Sequence, residues 1–211
     1  MSRVDEAEVR QILSAAGAVI VDSHLVYTSG KHGSAYINKD AVYPNTQFTS
    51  RLCEGMAEKC SGLEIQTVIG PERGGIILSQ WTAHHLSLGM SLVNAVYAEK
   101  HSGIFTLKIG WHELVKGKNV LVVEDVLNTG GSVKKVIELA RMIGGNVVGV
   151  AAICNRGGLT CDDLGVPLLS QLLSVTLESW EEADCPLCAQ GMPINIDVGH
   201  GKEFLARQQE K

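Results

Sequence analysis

Val120-Leu121-Val122-Val123-Glu124-Asp125-Val126-Leu127-Asn128-Thr129-Gly130-Gly131-Ser132 decides how this chain is read. Four apolar, mostly β-branched residues predict a buried strand, and two adjacent carboxylates close it. A short polar loop with two glycines follows and leads into a helix predicted over Ser132 to Ile143. In open α/β sheets, ligands bind at the carboxyl ends of the strands. Small residues at a helix N-terminus let backbone N–H groups converge on a phosphate, helped by the helix dipole. The hydroxyls of Thr129 and Ser132 add donors, and vicinal acids accept from vicinal hydroxyls such as those of ribose. The same acids stabilise positive charge developing on a sugar ring as its leaving group departs.

Outward from this segment the chain repeats one rhythm. Thr67-Val68-Ile69 predicts a short buried strand, Ile76 to Leu88 a helix, Ser91 to Tyr97 a strand, and Val147 to Cys154 another of near-continuous apolar character. A last strand is expected within Leu168 to Leu177. Strands buried on both faces and alternating with helices mark a parallel sheet with crossover helices. Before them, Asp5 and Glu8 have capping-box spacing ahead of an amphipathic helix that ends at Gly17, and a helix is predicted from about Asn45 to Cys60. Short strands are expected after Val19 and at Ala35 to Asn38. Neither a Walker loop nor a Gly-x-Gly-x-x-Gly fingerprint is present in the sequence.

The thirteen-residue segment resembles the phosphoribosyl-pyrophosphate signature of type I phosphoribosyltransferases, with Asn128 where many members carry Thr. The resemblance spans about Gly17 to Arg156 and implies one α/β domain. Its core is a parallel sheet of four or five strands flanked by helices, over about 45–178. A small hood is expected from about residues 1–40 and the C-terminal segment. Gly70-Pro71-Glu72-Arg73-Gly74-Gly75-Ile76 is similar to the family's pyrophosphate loop, in which backbone amides grip the leaving group. Arg73 and Gly74 are therefore expected at the pyrophosphate.

Two further stretches resemble orotate phosphoribosyltransferases. Thr28 to Asn38 holds the Ser-Gly turn and aromatic strand that wall the base site, so Tyr36 either stacks on the base or packs the hood. Arg156, just past a buried strand, is expected to pair with the orotate carboxylate. Ala98 to Phe105 replaces the family's mobile basic loop with a shorter stretch. Lys100 and His101-Ser102-Gly103 are what remain of it, and Glu99 adds an opposing charge. Thr28 stands where some members carry Lys.

The resemblance thus implies an Mg²⁺-dependent transfer of phosphoribosyl from its pyrophosphate to orotate. Asp125, Glu124 and Lys100 are the expected catalytic residues. Val126, Leu127, Asn128, Thr129, Gly130, Gly131 and Ser132 join the acids in binding the donor. The metal is expected on substrate and water rather than on protein ligands, and a homodimer is implied. A different nucleobase, or a regulator that binds the donor without turnover, stays open as an alternative.

Composition agrees with a small-molecule enzyme. The 211 residues carry a net charge of −5, which disfavours a broad nucleic-acid surface. A charged N-terminus and the lack of long apolar runs predict no signal peptide and no membrane span, hence a cytoplasmic protein. The six cysteines are then read as reduced thiols. Cys185-Pro186-Leu187-Cys188 is half a zinc ligand set, but Cys154, Cys161 and His200 stand at no telling spacing from it, and the adjacent His84 and His85 are read as structural.

Overall fold

The computed structural model describes residues 3–27, 29–89, 92–175 and 177–209. In chain order its elements are α1 (Glu6–Ala15), β1 (Val19–Ile20), β2 (Leu25–Val26), β3 (His32–Gly33), β4 (Tyr36–Ile37) and α2 (Thr46–Lys59). There follow β5 (Thr67–Pro71), α3 (Gly74–Gly89), β6 (Asn94–His101), β7 (Ile104–Thr106), β8 (Asn119–Leu127) and α4 (Gly131–Met142). The chain ends with β9 (Asn146–Asn155), α5 (Cys161–Leu164), β10 (Leu169–Ser174), β11 (Ser179–Trp180), α6 (Pro186–Ala189) and α7 (Gly201–Gln209). The chain falls into two compact units, Met1–Ile12 with Tyr43–Val175 and Leu13–Val42 with Thr176–Lys211.

The first unit holds a six-stranded sheet in the order β10-β9-β8-β5-β6-β7. Five strands are parallel, and the edge strand β7 runs antiparallel to β6. The expected four or five strands therefore become six. Ile104 to Thr106 was too short a run to show as a strand; it forms one because the chain doubles back at once and pairs with the end of β6. All of β5 and the middle of β8 are buried, as the apolar runs require. Val133, Val136, Ile137, Leu139 and Ala140 of α4 are buried on one stripe. Each large aliphatic buried there contributes roughly 1.5–3 kcal/mol, so Ile137→Ala would cost about 2–5 kcal/mol.

Helix starts follow local chemistry. The side chain of Asn45 accepts from the N–H groups of Gln47 and Phe48, each at 3.1 Å, and so caps α2. Asp5 Oδ1 accepts from Glu8 N–H at 2.8 Å, half of the expected capping box. The Glu8 carboxylate instead takes Arg51 Nε at 2.7 Å and Nη2 at 2.9 Å, where a guanidinium fork outcompetes a backbone amide.

Strand limits moved where pairing extends them. The strand expected from Ser91 begins at Asn94; Ser91 itself lies outside the described residues, as do Thr28 and Thr176. β8 runs on to Leu127 because β9 pairs with it as far as Leu127↔Asn155, so Glu124 and Asp125 lie within the strand rather than beyond it.

The second unit is built from two-residue strands. β1 pairs with β4, and β2, β3 and β11 form a three-stranded antiparallel sheet. Tyr36 stands on β4 opposite Ile20, half-buried. Its apolar core is small, with Leu25 and Val26 fully buried and Tyr27 and Phe204 nearly so.

Candidate active site

The chain runs from β5 to β6 on one side and later returns to lay β8 on the other side of β5. The sheet direction thus switches between β5 and β8, which is where ligands bind in open α/β folds. Pairing between these two strands ends at Ile69↔Val122, whereas β5–β6 continues to Pro71↔Ala98 and β8–β9 to Leu127↔Asn155. Past Ile69 and Val122 each strand follows its outer neighbour, and a crevice opens between the two loops the sequence singles out.

On one side stands Glu72 to Gly75. The Glu72–Arg73 peptide is cis, and Arg73 is exposed. Gly74 opens α3, and a Cβ there would overlap both Asp125 Oδ2 and the hydroxyl of Tyr43. Only glycine allows the backbone of this loop to come this close to the acid. Glu72 Oε1 accepts from the backbone N–H of Lys100 at 2.7 Å, and Glu72 N–H donates to the Ala98 carbonyl at 2.9 Å, so the end of β6 is stitched to this loop.

On the other side stand the acids. Glu124 is 9% and Asp125 2% exposed, unusual burial for adjacent carboxylates. Asp125 is held by hydrogen bonds on both oxygens: Oδ1 accepts from Val126 N–H at 2.7 Å and Oδ2 from the Tyr43 hydroxyl at 2.9 Å. Glu124 Oε1 accepts from Asp125 N–H at 3.1 Å.

Beyond them, Glu124, Val126, Leu127, Asn128, Thr129, Gly130, Gly131, Ser132 and Val133 line a pocket of about 120 Å³ at the start of α4. Gly130 sits before the helix at φ 76°, a left-handed conformation that a side chain resists. Thr129 Oγ1 accepts from Gly131 N–H at 3.4 Å, which folds the loop on itself.

Arg156 follows β9 and is half-buried. Its backbone N–H and that of Gly157 both donate to the Leu127 carbonyl, at 2.8 and 2.9 Å, which fixes the arginine loop to the rim of this pocket. Lys100 is exposed near the β6–β7 turn, its Nζ 6.0 Å from the centroid of the Phe105 ring. The turn itself, Ser102 at φ 49° and Gly103 at φ 85°, is a tight hairpin in which Gly103 O accepts from Lys135 Nζ at 3.0 Å. The structure thus gathers Arg73, Gly74, Glu124, Asp125, Val126 to Ser132 and Arg156 around the carboxyl ends of β5, β8 and β9. Lys100 stands at the end of β6.

Tyr43 is the residue the sequence did not offer. It is 82 positions from its acid, in no motif, and only the packing brings the two together.

A model of the phosphoribosyl transferase domain matches residues 40–168, the part of the chain that holds this crevice. Sheet order, loop placement and this match define a phosphoribosyltransferase. An orotate phosphoribosyltransferase from Caldanaerobacter subterraneus subsp. tengcongensis is 39% identical over 176 residues, covering 83% of this chain and 88% of its own length. One from Thermotoga maritima is 38% identical over 193 residues, 92% of this chain and 98% of its own. The chain belongs to the orotate phosphoribosyltransferase family. Solved structures share the fold at lower identity. The Mycobacterium tuberculosis H37Rv orotate phosphoribosyltransferase in complex with Fe(III) dicitrate matches at TM-score 0.66 and 21% identity, over 81% of this chain and 96% of that one. The Aeropyrum pernix enzyme matches at 0.63 and 23%, over 79% and 93%.

Proposed function

We infer that this chain is a pentosyltransferase that moves the phosphoribosyl group from 5-phosphoribosyl-1-pyrophosphate to a ring nitrogen of orotate, giving orotidine 5′-monophosphate and pyrophosphate. The observation that carries the reading is the crevice where Gly74 is pressed against Asp125, with the phosphate pocket on one flank and Arg156 tethered to its rim. The amides and hydroxyls of Asn128 to Ser132 bind the 5′-phosphate. Glu124 and Asp125 hold the ribose hydroxyls and stabilise the positive charge that develops at C1 as the C1–O bond to pyrophosphate breaks. Arg73, the Gly74 loop and Lys100 take the charge of the departing pyrophosphate. Arg156 presents its guanidinium fork to the orotate carboxylate.

Glu124 and Asp125 offer hard carboxylate oxygens, and Glu124 lines the pocket at the start of α4. That donor set fits Mg²⁺ held mainly through water and phosphate, not by a protein cage. When bound, Mg²⁺ neutralises pyrophosphate charge. Among the described residues no helix is long and apolar enough to cross a membrane. The reading includes a cytoplasmic homodimer; light scattering on the eluting protein tests the dimer, and a monomer mass would overturn that part.

The deciding experiment follows orotate consumption with purified protein, Mg²⁺ and phosphoribosyl pyrophosphate, beside Asp125→Asn. Loss of orotate absorbance in the wild type, falling at least about a hundredfold in the variant, supports the reaction and the role of the acid. Donor binding with no orotate loss would sink the orotate assignment.

A further inference from the structure

In the second unit lies a cluster that the transferase reading does not use. His24 and Cys185 are buried, His32 fully so, and Cys188 turns its sulfur inward from an exposed position. One ligand atom from each lies within 4.8 Å of all the others. The sequence showed only the Cys185–Cys188 half of this set. Its partners are neither Cys154, Cys161 nor His200 but two histidines more than 150 positions away, His24 just before β2 and His32 on β3.

We propose that His24 Nε2, His32 Nδ1, Cys185 Sγ and Cys188 Sγ bind one structural Zn²⁺ that fastens the second unit together.

Four of the six edges between these atoms can be set against those of a zinc tetrahedron. Zinc bonds of ~2.0–2.1 Å to nitrogen and ~2.3 Å to sulfur imply edges of about 3.4 Å between nitrogens and about 3.6 Å between nitrogen and sulfur. Observed edges are 2.9 Å for His24 Nε2–His32 Nδ1, 3.6 Å from His24 Nε2 to each sulfur, and 3.3 Å for Cys188 Sγ–His32 Nδ1.

Hydrogen bonding points the same way. His24 Nδ1 lies 2.7 Å from the Met192 carbonyl, an acceptor only, so Nδ1 carries the proton and Nε2 presents a lone pair to the cluster. A carbonyl fixing the outer nitrogen in this way is the usual support of a metal-bound histidine. One lone pair cannot serve an imidazole and two thiols at once, whereas a cation at the centre is served by all four. With four protein ligands and two of them sulfur, the site suits zinc in a closed structural role rather than a catalytic one.

Backbone geometry holds the ligands in place. Cys185 precedes α6 with Pro186 at the first helical position, and its carbonyl accepts from Ala189 N–H at 3.1 Å; the Cys188 carbonyl accepts from Gly191 N–H at 2.9 Å. The turn after Cys188 therefore wraps back, and Asn195 N–H reaches the His24 carbonyl at 2.7 Å. His32 pairs with Val26 on β2 and Trp180 on β11 and meets Phe204 edge-on at 4.9 Å. The ligands thus join two stretches distant in sequence, 24–32 and 185–188. A unit made of two-residue strands around a few buried side chains gains little from its own core, which is the situation in which small folds use metal staples.

The test uses full-length protein purified in reductant without chelator. Plasma mass spectrometry is expected to find about one zinc per chain. After exchange into Co²⁺, the protein is expected to show the strong visible bands of a tetrahedral ion and a thiolate charge-transfer band. Cys188→Ser should lose at least about tenfold in zinc affinity, while Cys161→Ser, another thiol that is not buried, keeps it. Removing zinc with a chelator should speed amide hydrogen exchange in β2 and β3. Folded, reduced wild-type protein that carries no zinc and gives no tetrahedral cobalt spectrum would overturn the proposal, as would Cys188→Ser binding like the wild type. Should that variant misfold, wild-type metal content and the cobalt spectrum decide alone.

Discussion

Tyr43 donates its hydroxyl to Asp125 Oδ2 at 2.9 Å, and the absent side chain of Gly74 makes room for both groups. The phenol lies outside the signature segment yet fixes the orientation of its central acid. Tyr43→Phe removes one bond to a charged acceptor, a loss of about 1.5–3 kcal/mol when such a group is buried. We expect kcat/KM to fall about tenfold or more. Steady-state kinetics showing less than about a twofold change would deny Tyr43 a positioning role.

Gly74→Ala places a methyl group where Asp125 Oδ2 and the Tyr43 hydroxyl now sit. The acid must move or the loop must retreat, and activity is expected to drop by at least about a hundredfold. Gly89→Ala, at the other end of the same helix with open space around its Cβ, should leave kinetics intact. Equal activity of the two variants would show that the close approach is dispensable.

Arg156→Lys keeps the charge but loses the fork. The KM for orotate is expected to rise about tenfold or more, while the KM for the ribosyl donor stays within about twofold. A matching rise in both constants would instead place Arg156 on the donor.

The Glu8–Arg51 pair gives a pH signature. The Arg51 hydrogen bond holds the Glu8 carboxyl below its ordinary value, and burial opposes this more weakly. A depressed carboxylate contributes stability that is complete above its unfolded value and lost as pH falls through the folded one. Glu8 is 33% exposed at its side chain, so solvent screening keeps the contribution to about 0.5–1 kcal/mol. Glu8→Gln should lower the thermal midpoint at neutral pH, and the gap should close at pH values below the usual carboxylate range. A gap that stays constant with pH would deny the ion pair its part.

Thiol chemistry separates the remaining cysteines. Burial pushes Cys53 up to about 12 and Cys60 and Cys154 up to about 11. Aromatic disulfide reagents need a thiolate and access, so in native protein these three should stay silent while half-buried Cys161 reacts. Fast modification of Cys53 would contradict its burial.

How much of this was legible before the fold was known depends on distance along the chain. The β-branched run ending at Glu124, the apolar run from Val147 and the glycine loops are local patterns, and each became the strand or loop it suggested. Arg156 was singled out by its place just past such a run together with the family resemblance. Tyr43 and the two histidines were not, because their meaning lies in partners 82 and more than 150 residues away, and no periodicity records a tertiary meeting. The two-residue strands of the second unit were hard to place for another reason: two residues are too few to show alternation.

Gly157 N–H and Arg156 N–H share the Leu127 carbonyl, and a Cβ at Gly157 would overlap the carbonyl oxygen of Asn128. The loop that holds the proposed base-recognising arginine and the loop proposed for the sugar phosphate are therefore one mechanical piece. Anyone retargeting this enzyme to a new acceptor inherits that constraint. An insertion or a bulky residue beside Arg156 will displace the pocket at the start of α4 as well, so the natural unit of exchange between relatives is the whole block from Leu127 to Gly158, not the arginine loop alone.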